Sequence, residues 1–210
     1  MQRNERGWSI RIGHDTDVDF CLWVLERDGL RVPPFDHHPD GDGTLRAAGL
    51  DAASWRRWIA QVVASRDELD ALFGAEAHTA LRGSTRLHER HLALLPAPLW
   101  DGGPEVGRLL AELAEEYRSV STARTAGSER LPTPSEHRLA DVLSPFRDAI
   151  PAPLRTIFVA YPGPIRTEFP PSAVVLAVSG WAPAAADLVA EIVSSAEALA
   201  RSNERAPRRA

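Results

Sequence analysis

The chain has 210 residues, 44% of them hydrophobic and 25% charged, with a formal net charge of -5. These are ordinary globular values, and they exclude a mostly disordered, collagenous or coiled-coil protein. A chain this long buries roughly 70% of its unfolded surface, so it needs neither a disulfide nor a metal to fold. The acidic balance argues against a general nucleic-acid binder, which requires a basic stripe to meet phosphates.

All 24 basic residues are Arg, and none is Lys. That closes three mechanisms to this chain acting alone: the Lys of a GxxxxGK[ST] phosphate loop, the nucleotide-pairing Lys of protein kinases, and Schiff-base chemistry. Arg stays charged and cannot replace an amine nucleophile. The Arg- and Ala-rich text suits a GC-rich, bacterial genome. A single cysteine, Cys21, forms no internal disulfide and no zinc cluster. Met1 to Gly7 is polar and lacks the apolar stretch of a secretory signal. The apolar run Ala173 to Val178 is far shorter than the about 20 residues that span a bilayer. The expectation is a soluble, cytoplasmic protein in a reducing compartment, with no membrane partner.

In chain order, Trp8 to Ile12 alternates as a half-buried strand does. Thr16 and Asp19 form a capping-box pattern, and Val18, Cys21, Leu22 and Leu25 recur at helical spacing until Gly29. Phe20, Trp23 and Val24 fill much of the remaining circumference, which predicts a helix buried on most sides. Arg31 to Gly49 loses periodicity and is dense in turn formers, so it reads as a long loop. Asp51 caps a helix whose stripe is Trp55, Trp58, Ile59, Val62 and Val63, with Arg56 and Arg57 facing away. Short helices are expected from Ser65 to Phe73 and over residues 84–95. Pro104 opens an amphipathic helix through Tyr117. Residues 121–134, rich in Ser, Thr, Gly and Pro, read as a linker or exposed loop, and Glu136 to Leu143 as a short helix. Leu154 to Tyr161 and Ala173 to Val178 are strand-like, with a loop at Pro162 to Pro171 between them. A helix over Ala184 to Leu199 precedes a polar tail.

The resulting expectation is an α+β fold, mostly helical, whose small sheet (strands near 8–12, 154–161 and 173–178) is covered by helices. The alternative is an all-α body with a C-terminal β-hairpin. Residues 1–201 are expected to form a single globular domain, with a subdivision near 121–134 as the variant. Residues 202–210 would be a flexible basic tail.

Two groups of residues carry metal-type chemistry. His14, Asp15, Asp17 and Asp19, followed by Asp36, His37, His38, Asp40 and Asp42, supply the imidazoles and carboxylates that Zn, Mn or Fe prefer. Against this, acids in a first helical turn offset the macrodipole, and Asp-Gly-Asp-Gly is turn-forming text. His88 and His91 stand three apart, not four, so Glu89 is not placed as the base of a zinc-protease signature. No GxSxG elbow and no GxGxxG loop is present, and Cys21 sits among apolar residues that would leave it inert. Four aromatics in loop-like text are interaction candidates instead: Phe35, Trp100, Phe169 and Trp181.

The expected function is therefore a non-catalytic adaptor, scaffold or regulatory subunit, without cofactor, whose partner is another protein or its own copy. The alternative is a metal-dependent hydrolase or phosphotransfer enzyme using His14, Asp15, Asp17, His37, His38 and Asp40 with a divalent metal.

Overall fold

The computed structural model describes residues 10–33, 35, 41–64, 100, 102–130, 134–150, 154–169, 173–179 and 185–205. They fall into two compact units, one of residues 16–121 and one of residues 1–15 with 122–210.

In the first unit, helix α1 (Thr16–Asp28) follows directly from residue spacing. Val18, Phe20, Cys21, Leu22, Trp23, Val24 and Leu25 are all buried, so the helix is enclosed nearly all round. Gly29 ends it at φ 66°, and its N–H reaches the Leu25 carbonyl at 2.9 Å, a left-handed cap that a side chain would disfavour. A single turn, α2 (Thr44–Ala47), precedes helix α3 at residues 52–64. Asp51 and Ser54 cap α3 reciprocally: the Ser54 N–H donates to Asp51 Oδ1 at 2.7 Å, and the Asp51 N–H to Ser54 Oγ at 3.0 Å. The apolar stripe of α3 is buried from Trp55 to Val63, while Arg56 and Arg57 are exposed.

Helix α4 (Pro104–Glu129) contributes Val106, Leu110 and Tyr117 to the same core. Rings dominate it. Phe20 meets Tyr117 at 5.2 Å and Trp58 at 6.0 Å, both edge-to-face, geometries that add about 0.5 to 1.5 kcal/mol each beyond burial. Two of the polar tips are satisfied in place, while the buried Trp58 Nε1 has no protein partner among the described residues. Trp55 Nε1 donates to the Cys21 carbonyl at 3.0 Å, and the Tyr117 hydroxyl to Asp19 Oδ2 at 2.7 Å.

The second unit is built on a sheet. Strand β1 (Ile10–Gly13) runs parallel to β2 (Leu154–Phe169), with Ile10 opposite Leu154 and Gly13 opposite Ile157. β2 then runs parallel to β3 (Ala173–Ser179), from Arg155 opposite Ala173 to Val159 opposite Ala177. Beyond Pro162 the register reverses, running from Pro164 opposite Val178 to Phe169 opposite Ala173. β3 therefore lies between two arms of β2. Helix α5 (Glu136–Leu143), capped by Ser135, packs on β1, and helix α6 (Ala185–Arg205) packs on β2 and β3. Their shared core is mostly aliphatic: Leu139, Leu143, Ile150, Leu154, Leu188, Ile192 and Leu199 surround Phe158. The fold is thus mostly helical α+β with a small sheet, as expected, and β1 belongs to that sheet, so the strands do not form a separate C-terminal hairpin.

Four segments depart from the sequence expectations. Thr44–Ala47 is the helical turn α2 within residues 31–49, where a loop was expected; its first N–H groups are closed by Asp28 and Asp42. Residues 121–129 continue helix α4 where a linker was expected. Ser119, Ser121 and Ser128 each donate to the carbonyl three residues back, so these hydroxyls bond within the helix rather than competing with it. Residues 162–169 are strand where a loop was expected. There the alternation of Ile165, Thr167 and Phe169 with Arg166 and Glu168 is masked in the text by prolines on both sides. Helix α6 runs on through Arg205, aided by an Arg201–Glu197 pair at 3.6 Å, so residues 202–205 are helical rather than tail. The helices expected over 65–73 and 84–95, with His88 and His91, lie outside the described residues. Among the described residues no helix is long and apolar enough to cross a membrane.

Candidate functional site

His14 follows the last residue of β1 and lies beside Phe158, within β2, which runs on past it. Its ring is engaged on both nitrogens. Nδ1 lies 3.2 Å from the Phe158 carbonyl and 3.0 Å from Ser128 Oγ, and Nε2 lies 3.1 Å from Thr125 Oγ1. A carbonyl only accepts, so the network assigns a proton to Nδ1. Ser128 spends its own proton on the Thr125 carbonyl at 2.9 Å, and in the neutral ring Nε2 accepts from the Thr125 hydroxyl. A hydroxyl, a base and a group that orients the base are therefore in line. Thr125, however, sits inside α4, where backbone N–H groups are bonded within the helix and none is offered to an oxyanion. The cluster acts as a pin joining β1, β2 and α4, reinforced by Arg124 donating to the Ala160 carbonyl at 2.9 Å.

A second polar cluster lines a cleft of about 230 Å³ in the other unit, between Arg27, Asp28, Asp42, Thr44, Glu112 and Glu116. Asp28 stands in the last turn of α1, the unfavourable end for an acid. It is buried there because Oδ1 accepts the Leu45 N–H at 2.6 Å and the Arg46 N–H at 3.4 Å, closing the start of α2. Oδ2 lies 3.2 Å from Arg46 Nε. Burial pushes the Asp28 carboxyl above its usual range, against the pull of those N–H groups and of Arg46. Asp42 is held below its usual range, first by the Thr44 N–H on Oδ1 at 3.0 Å and then by the Arg27 guanidinium on Oδ2. Arg27 also reaches Glu116 at 3.3 Å. Arg27, Asp28 and Asp42 thus each already have a charged protein partner, and the cluster ties the loop after α1 to α1 and α4.

Trp100 presents the third feature. Its partly buried ring meets Trp58 edge-on at 6.1 Å, and its Nε1 donates to the Gly103 carbonyl at 3.0 Å. A Cβ at Gly102 would overlap the ring, and one at Gly107 would lie 3.3 Å from Cδ1. The indole is therefore seated on glycine backbone with its only polar atom satisfied.

Of the other expected site residues, Phe35 is 2% exposed and packs on Trp55 at 5.5 Å, which places it in the core. Phe169 ends β2 opposite Ala173. His14 and Asp15 fall in one unit and the buried Asp17 in the other. Asp36, His37, His38, Asp40 and Trp181 lie outside the described residues. No trio of His, Cys, Asp or Glu among the described residues is placed to hold a metal ion. Sequence reasoning missed Thr125 and Ser128, which it placed in a linker, and Asp28, whose position beside a helix-ending glycine was the available signal. Comparison of the chain with family models, curated proteins and solved structures finds no match.

Proposed function

We infer that the chain is a non-catalytic adaptor, scaffold or regulatory subunit of the cytoplasm that works through contact with another protein. The observation that carries this reading is the seating of Trp100. A ring fixed by Trp58, Gly102 and the Gly103 carbonyl loses little freedom when a partner covers it, and its one polar atom already has a partner. Aromatic anchors of this kind dominate interface energetics.

The test is recovery of the tagged chain from its own cytoplasm after mild cross-linking, with elemental analysis of the same preparation. The expected result is one protein recovered in near-stoichiometric amount, and a recovery about 30-fold lower for Trp100→Ala, the equivalent of about 2 kcal/mol for a buried anchor. A chain recovered alone with stoichiometric divalent metal, lost on changing His37 and His38 to Ala, would overturn the reading and favour a metalloenzyme.

A further inference from the structure

Every residue of β3 from Ala173 to Ala177 has two partners in register: Arg155 and Phe169 flank Ala173, and Ile157 and Thr167 flank Val175. The returning arm of β2, residues 164–169, therefore has β3 on one side. On its other side no described residue pairs with it. Pro164 has no N–H to give β3, and prolines within sheets stand where the donor position faces outward. If Pro164 takes the outward phase, the twofold period of a strand gives Arg166 and Glu168 that same phase, and Ile165, Thr167 and Phe169 the phase that faces β3.

We propose that this edge pairs with the same edge of a second copy of the chain, antiparallel about Thr167. In that register Arg166 of each copy stands opposite Glu168 of the other, so opposite charges meet twice, and Ile165 stands opposite Phe169 twice. Sliding the copies by two residues either way sets Arg166 against Arg166 or Glu168 against Glu168. Odd slips turn outward backbone groups against inward ones. Only the Thr167-centred register matches both charge and hydrogen bonding. Pro164 on one side and Pro170 and Pro171 on the other remove donors just beyond the window, which confines the pairing to residues 165–169. The result is an isologous, closed dimer rather than a fibre. This strand belongs to a different compact unit from Trp100, and the proposal does not depend on the function proposed above.

Sedimentation equilibrium of the full chain, from about 1 μM to about 1 mM where short interfaces associate, tests it. The mass should rise from 23.0 kDa to twice that value and no further. Glu168→Arg should hold the chain monomeric, and the charge swap Arg166→Glu with Glu168→Arg should restore the dimer. Thr167→Cys should cross-link to a dimer on mild oxidation, because opposed non-hydrogen-bonded residues lie within disulfide reach and the native Cys21 is fully buried. Trp100→Ala should leave the dimer unchanged. A monomer at all concentrations of the unaltered chain would overturn the proposal, as would a Glu168→Arg protein that dimerises normally, a swap that stays monomeric, or a mass above the dimer.

Discussion

The two units solve the same burial problem with different materials. Residues 16–121 pack Phe20, Trp23, Phe35, Trp55, Trp58 and Tyr117 into one core, whereas residues 1–15 with 122–210 fill theirs with Leu, Ile, Val and Ala around Phe158. A ring whose polar tip has a fixed partner can orient only one way, and so holds the neighbouring backbone in place. Trp55 bonded to the Cys21 carbonyl and Tyr117 bonded to Asp19 are two such fixed points. Aliphatic side chains impose no direction. In that unit position comes from strand register and from the His14 pin. The difference explains why a presented ring, Trp100, belongs to the aromatic unit.

The largest expected effect tests the aromatic core. Trp58→Ala should lower the unfolding free energy in denaturant by about 3 to 5 kcal/mol, and Phe35→Ala should fall in the same range. A loss below about 1 kcal/mol for either would mean its ring is not holding that unit together. In the aliphatic unit, Leu154→Ala should cost about 2 to 5 kcal/mol by the same cavity argument.

Polar changes come next. Asp28→Ala leaves the Leu45 and Arg46 N–H groups without their acceptor, for about 1 to 3 kcal/mol. Asp28→Asn keeps an acceptor and removes a buried charge, so it should cost clearly less. Equal losses for the two variants would show that the charge, not the acceptor, matters. His14→Ala should cost about 1 kcal/mol through the pin joining β1, β2 and α4.

The smallest effect is a pH slope with a defined sign. Asp42, whose folded-state pKa is lowered, contributes stability above its ordinary value that disappears as pH falls through the depressed one. Asp28, whose folded-state pKa is raised, does the opposite, and stability declines as pH rises from its ordinary value through the raised one. Urea midpoints between about pH 5 and pH 3 should therefore fall less steeply for Asp42→Asn than for the unaltered chain, and more steeply for Asp28→Asn. Parallel slopes for all three would remove both assignments.

The aromatic unit was also the more legible in sequence. The stripe of α3, its Asp51 cap, the enclosure of α1 and its stop at Gly29 are local, and each rests on spacing within one helix. The other unit is assembled from distant text. Ile10 finds Leu154 across the chain, and β2 doubles back around β3, so no local window contains the pairing. Composition misled at residues 121–129, where Ser and Thr read as loop formers yet bond to their own helix. For the candidate sites, residue type pointed to His14 and Trp100. The partners that define their roles, Thr125, Ser128, Gly102 and Trp58, lie on other elements or read as punctuation.

The central claim is that the placement of Trp100, and not merely its presence, anchors a partner. Gly102→Val tests it most directly, because it keeps the indole but puts a side chain where the ring now lies. Partner recovery with this variant should fall as far as with Trp100→Ala, while the unfolding free energy changes by no more than about 1 kcal/mol, as for a surface-loop substitution. Undiminished recovery from a folded Gly102→Val protein would contradict the account.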